Sequence, residues 1–240
     1  MSAVSAPADR PTVAAFDFDI TITTKDTFVP FLILAFGKWP TYRAFAKLAF
    51  DGLLVLARLS SRDRFKEKII RDLFSGESVG RLEKAGHDHA KAIWPLVRPM
   101  AERRIAWHKE RGHRLVLVSA SLDLYLEPIT RELGFDNLLC TRLSKNQGVF
   151  DGNLDGKNCR AQEKVAKLND LLGDLSAFEL HVYGDSAGDK EMLKVASHPH
   201  WRPFEPAGEF ASGPERKTPC RQSFCSHPAS KNAATAPRLD

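Results

Sequence analysis

The chain has 240 residues, 43% of them hydrophobic, and a formal charge of +5. That length can bury a full core plus a small accessory domain, and no apolar run reaches the ~18 to 20 residues a membrane-spanning helix needs. The modest positive balance favours anionic substrates or surfaces, but no base-stacking motif accompanies it, so nucleic acid is not indicated.

Four cysteines (Cys140, Cys159, Cys220 and Cys225) show no zinc-type pairing. With so few of them and no apolar export segment near Met1, a reducing, cytoplasmic setting is expected. Residues 1–11 are small and polar and are expected to be flexible. Val13 to Phe16 is apolar and β-prone, the pattern of an interior strand of a parallel sheet. It runs into Asp17-Phe18-Asp19-Ile20-Thr21, where two carboxylates two residues apart point to the same side of the chain. Ligands gather beyond such strand ends in open α/β sheets. One carboxylate there can attack an electrophile while the other handles protons, and both can face a hard cation. A solvated Asp-x-Asp turn is the plainer alternative.

From residue 25 to 105 strand-like runs disappear. Helical periodicity predicts Phe28–Phe36, Tyr42–Leu59, Arg62–Phe74, Val79–Ile93 and Met100–Glu110, punctuated by glycines and prolines. The apolar weight of Phe28 to Phe36 and Phe45 to Leu56 suits the core of a small bundle, with an acyl groove or membrane-facing surface as the alternative. Lys38, Lys47, Asp51 and Arg58 interrupt these runs. A peripheral membrane contact is therefore left open and not favoured. The basic run Arg58, Arg62, Arg64, Lys66, Lys68 and Arg71 reads as a solvated face, although an inward-facing member could bind a substrate carboxylate or second phosphate.

Arg114 to Val118 is a second continuous apolar strand, ending in Ser119-Ala120-Ser121 before a helix that takes in Leu124, Tyr125 and Leu126. Ser119 suits either a helix N-cap or a phosphate oxygen. An amphipathic helix opening at Asn158-Cys159-Arg160 carries Lys164 near its first turn, a poor place for a cation unless it faces an anion. Glu179 to Tyr183 is a further strand and feeds Gly184-Asp185-Ser186-Ala187-Gly188-Asp189 at the start of a helix. Asp185 or Ser186 could serve only as an N-cap, but capping does not explain why two separate strands end in acid pairs. His198 and His200 flank a proline in an expected loop. Residues 207–240 are rich in Gly, Pro, Ser and Ala and are expected to be disordered.

In this order, Asp17-Phe18-Asp19-Ile20-Thr21, Val118-Ser119, Lys164 and Gly184 to Asp189 resemble the haloacid-dehalogenase superfamily of phosphohydrolases. Roughly a hundred residues separate the first two motifs, as in its phosphoserine-phosphatase-like branch. Leu117 to Ser121, Asn158-Cys159, Glu163-Lys164-Val165 and His200 to Phe204 are similar to subfamily IB hydrolases. The resemblance covers roughly residues 12 to 205. It implies an α/β, Rossmann-like parallel core (12–24 and 106–206) with an inserted helical cap of the C1 type (25–105). It implies Asp17 as nucleophile, Asp19 as general acid and base, and a Mg²⁺ held by Asp17, the Asp19 backbone carbonyl and Asp185, with Asp189 in support. Ser119, Lys164 and Thr21 would hold phosphoryl oxygens.

Two residues depart from the pattern. Ile20 stands where glycine or a small residue is usual, and a branched side chain disfavours positive φ. Ala161 stands where many relatives have glycine. Asp26 lies near where phosphoserine phosphatases carry an acid for the substrate amine, and it suits helix capping equally. The expected activity is Mg²⁺-dependent hydrolysis of a small phosphorylated metabolite through an aspartyl-phosphate. The alternatives are a phospholipid or lysolipid phosphatase of the same mechanism, and a phosphate-binding regulatory protein whose turnover Ile20 has impaired.

Overall fold

Strand β1 (Thr12–Phe16) alternates its side chains between two apolar layers. Val13 and Ala15 enter one cluster, and Ala14 and Phe16 enter the other. Both faces are covered, which is why the strand reads as a continuous apolar run. A computed structural model describes residues 10–49 and 62–204. Within them, β1 is joined by β2 (Arg114–Leu122), β3 (Asn137–Asn146), β4 (Val149–Asp155), β5 (Glu179–Gly184) and β6 (His198–Trp201). The sheet runs β4-β3-β2-β1-β5-β6. Every pairing is parallel except the β3–β4 hairpin. Mixed α/β architecture with a mostly parallel sheet is what the sequence led us to expect.

Between β1 and β2 lie α1 (Phe28–Phe36), α2 (Lys38–Lys47), α3 (Arg62–Phe74), α4 (Val79–Ile93) and α5 (Pro99–Glu110). The periodicity located α1, α3 and α4 to the residue. Helix α2 starts four residues before Tyr42, with Pro40 tolerated in its first turn, where the amide N–H that proline lacks would have no helical partner. The end of the helix expected to reach Leu59 lies outside the described residues, as do Arg58, Cys220, Cys225, most of the expected flexible start and all of the expected tail. Phe31, Leu32, Ile70, Phe74 and Leu82 of the insertion share one apolar cluster with Phe16, Leu117 and Tyr183 of the sheet. The two connections to the sheet are zipped together: Thr23 bridges Val97, Thr24 N–H donates to Leu96 O at 2.8 Å, and Arg98 N–H donates to Ile22 O at 2.8 Å.

Helices α6 (Asp123–Leu133), α7 (Gln162–Leu172) and the short α8 (Lys190–Lys194) complete the described fold. Strand β2 runs past Val118 through Leu122, which is the N-cap position of α6, so Ser119 caps no helix. His198 and His200 lie not in a loop but on the edge strand β6, where Pro199 costs no ladder bond that an interior strand would need. The β3–β4 hairpin had no counterpart in the sequence reading. Among the described residues, no helix is long and apolar enough to cross a membrane.

Candidate active site

The carboxyl ends of β1 and β5 are neighbours in the sheet, and Asp17 N–H donates to Tyr183 O at 2.9 Å. This pairing brings acids from distant parts of the chain together. The carboxylates of Asp17, Asp185 and Asp189 each offer an oxygen within 4.8 Å of the others. Asp189 can approach so closely because residue 184 is glycine: a Cβ there would stand 2.6 Å from Asp189 Cβ.

Lys164, in the first turn of α7 and buried, donates to Asp17 Oδ1 and Asp189 Oδ1 at 2.6 Å each. Thr21 Oγ1 donates to Asp185 Oδ1 at 2.9 Å and lies 3.4 Å from Asp17 Oδ2. Asp189 Oδ2 accepts from Ser186 N and Ser186 Oγ at 2.9 and 2.7 Å. Ser186 is therefore a support for Asp189, and Asp189 itself holds the N-cap position of α8. Burial pushes the Asp17 carboxyl up to about 7, against the pull of Lys164. Burial also raises Asp185, with Thr21 opposing. For Asp189 burial acts in the same direction, yet Lys164 and the Ser186 donors together outweigh it and hold the carboxyl below its usual range. Burial disfavours the Lys164 cation, but its two carboxylate partners raise its pKa above the ordinary lysine range.

Asp19 faces a different set of groups. Its Oδ1 accepts from Thr27 N and Thr27 Oγ1 at 2.8 and 2.6 Å, and its Oδ2 accepts from Ser121 Oγ. Burial, with Asp26 adding to it, lifts its carboxyl to about 6. Its side chain thus stands apart from the three-acid cluster. Ser119 is buried, and its Oγ accepts from Ser121 N–H at 3.1 Å. Thr27 and Ser121 were not singled out from the sequence. Thr27 looked like a helix start, and Ser121 lay in a run read as a strand end.

Asp26 is exposed, and its Oδ1 accepts from Phe28 N and Val29 N at 3.0 and 3.4 Å, which matches the capping alternative. Of the described residues of the basic run, Lys66 is the inward-facing one. Its ammonium donates to Ala120 O, and to Asn158 Oδ1 at 3.0 Å. Burial lowers its pKa to about 8, while the nearby Asp19 carboxylate opposes that shift.

Both departures from the family pattern occupy strained backbone. Ile20 has φ +63° and Ala161 has φ +52°. Left-handed geometry costs an L-residue roughly 1–2 kcal/mol, so glycine would be the unstrained choice at either place. Non-glycine residues in such geometry persist only where surrounding contacts over-determine them, and they cluster at functional sites.

Three carboxylates with a buried lysine between two of them suit a hard, oxygen-preferring cation such as Mg²⁺. Fold and site together define an α/β hydrolase. Residues 14–194 match the family described as haloacid dehalogenase-like hydrolase, and the chain belongs to that family. It is 37% identical over 206 residues to protein CicA of Caulobacter vibrioides, covering 81% of this chain and 87% of that one. It is 28% identical over 188 residues to a phosphoserine phosphatase of Methanocaldococcus jannaschii, covering 75% and 80%. A solved substrate-bound phosphoserine phosphatase superposes with a TM-score of 0.55 at 23% identity, covering 78% of this chain and 84% of that one, which speaks to the fold.

Proposed function

We propose that this hydrolase is a Mg²⁺-dependent phosphatase that works through an aspartyl-phosphate on Asp17. The observation that carries the reading is the placement of Lys164 between Asp17 and Asp189 beside Asp185. A carboxylate nucleophile approaches a phosphate dianion only where the repulsion is neutralised. In the proposed reaction Asp17 attacks phosphorus as the ester P–O bond breaks, and Asp19 gives its proton to the leaving alcohol. Asp19 then takes a proton from water as that water attacks the aspartyl-phosphate, releasing inorganic phosphate and restoring Asp17. The three donors on Asp19 hold it apart from the nucleophile, which suits a separate proton-transfer role.

Asp17, Asp185 and the Asp19 backbone carbonyl would hold Mg²⁺. Both Asp189 oxygens are engaged, by Lys164 and by Ser186, which suits support rather than direct ligation. When bound, Mg²⁺ supplies further neutralisation of the nucleophile and the incoming phosphate. Ser119, Thr21 and Lys164 would hold phosphoryl oxygens. Lys66, reaching in from the helical insertion, would take a second anionic group of a small, phosphoserine-like metabolite, and the insertion would act as a cap that excludes water. A chromogenic phosphate ester with and without Mg²⁺, followed by a panel of phosphometabolites, tests this. Absence of turnover in folded protein would overturn it.

One observation favours a lipid phosphate as a second reading. Trp39 and Tyr42 of α2 are 83% and 51% exposed, with exposed Arg43 beside them and Lys38 next in line. Aromatic and basic residues on one helix face suit an anionic bilayer surface. Detergent-dispersed lipid phosphates assayed beside soluble esters separate the two, and faster turnover of the soluble esters would favour the metabolite.

A further inference from the structure

The turn that carries Ile20 is held from outside the motif by one side chain. Arg98 lies where the helical insertion returns to the sheet, immediately before α5. Its three guanidinium nitrogens donate to three backbone carbonyls. Nε reaches Thr23 O at 3.1 Å, one terminal nitrogen reaches Ile20 O at 3.3 Å, and the other reaches Phe204 O at 3.2 Å. Its backbone N–H takes a fourth carbonyl, Ile22 O, at 2.8 Å.

Ile20 is therefore fixed on both sides of its left-handed conformation. Its N–H donates to Thr23 Oγ1 at 3.1 Å, and its carbonyl accepts from Arg98. Ile20 is 43% exposed, so apolar packing contributes little to holding it there. The planar fork of arginine can satisfy carbonyls in several directions at once, which a lysine ammonium on its flexible stem does not reproduce. The same turn sets where Asp19 and Thr21 stand, one residue to either side of Ile20.

We infer that Arg98 is a positioning residue for the nucleophile turn, holding residue 20 in the left-handed conformation that a branched side chain resists. It acts through the backbone of Ile20, Ile22 and Thr23 and touches no reacting atom. The inference also joins the exit strand of the insertion to the catalytic turn, so a shift of the helices is transmitted to the loop between Asp19 and Thr21. It rests on the phosphatase reading only where turnover is the readout.

The test is a double-mutant cycle of Arg98→Met and Ile20→Gly in the full chain, read by turnover of a chromogenic phosphate ester with Mg²⁺ and by thermal melting. Arg98→Met should lower kcat by about tenfold with KM little changed, because a misplaced site loses rate before it loses binding. Arg98→Lys should recover only part of that loss. In the Ile20→Gly background, where glycine adopts positive φ without strain, the loss from Arg98→Met should shrink to about twofold. The drop in melting temperature should shrink in parallel. Equal losses in both backgrounds, or an Arg98→Met protein with wild-type kcat, would overturn the inference. If the wild type shows no turnover, the phosphatase reading fails instead. The melting cycle still decides: unequal drops in the two backgrounds support Arg98's role, and equal drops refute it.

Discussion

Lys164 Nζ stands 2.6 Å from Asp17 Oδ1, although the two residues lie 147 positions apart. Both are buried, and the cation is shared with Asp189. A buried carboxylate beside two others would ordinarily take up a proton. The lysine offsets one of the three carboxylate charges, and the proposed divalent cation would offset the other two.

Removing that cation should be costly. Lys164→Met should destabilise the protein by about 3–5 kcal/mol, the range for breaking one side of a buried ion pair, and should remove most turnover. Urea denaturation and a chromogenic phosphate assay measure the two effects. A variant with wild-type stability would show that the acids are already neutral without the lysine.

Mg²⁺ should stabilise the folded protein. At a hundredfold excess over its dissociation constant the gain is about 2.7 kcal/mol, seen as a rise in melting temperature that EDTA reverses. Asp185→Asn should lose most of this response. An unchanged response in Asp185→Asn would mean that the ion sits elsewhere.

Ile20→Gly should preserve or raise activity. Relief of the left-handed strain, roughly 1–2 kcal/mol, is partly offset by the greater freedom of glycine in the unfolded chain. A net change within about 1 kcal/mol of wild type is therefore expected by urea denaturation. A collapse of turnover would show that the Ile20 side chain itself serves the site.

A histidine cluster beneath β5 gives a pH dependence. His181 and His200 stack at 5.5 Å, and His200 stacks on Tyr183 at 4.3 Å. His108 meets Tyr183 OH at 2.8 Å and His113 Nδ1 at 2.7 Å, while His198 pairs with Glu179. Burial, aided by the charges of neighbouring histidines and Arg104, pushes His108 down to about 3 and His181 and His200 to about 4. The folded state therefore resists protons that the unfolded chain accepts from about pH 6.5 downward. Their contribution to stability is present above pH 6.5 and is lost as pH falls towards 4. Asp17 and Asp19, whose pKa values are raised, act in the opposite sense, so the comparison isolates the histidines. A His181→Asn, His200→Asn protein should lose less stability than wild type between pH 7 and 5 in urea melts. Identical slopes would contradict the assignment.

Much of this was legible in the chain. Val13 to Phe16 could be read as an interior strand because both its faces are buried, and α3 and α4 because each carries one apolar stripe. The acid pairs at Asp17 and Asp185 stood out for the same reason: each interrupts an apolar run where the chain leaves the sheet. Other elements carry no such local signal. Strand β4 alternates exposed polar residues with few apolar ones, and its pairing is set by β3 and the turn at Gly148. Ser119 to Ser121 have weak strand preference and lie in β2 where its register with β3 shifts, between Val118 and Leu122. The residues that hold Asp19 lie 8 and 102 positions away, and only the packing of α1 and β2 against the same turn brings them together. Arg98 was equally silent, because its partners are backbone carbonyls that no residue type advertises.

The most direct test of the account is to quench a reaction of the Mg²⁺-loaded protein with a phosphate ester in acid and examine its peptides by mass spectrometry. The account predicts a phosphoryl adduct on the peptide containing Asp17, absent from Asp17→Asn, which should fold normally and show no turnover. Appreciable turnover by Asp17→Asn, or an adduct carried by another residue, would contradict it.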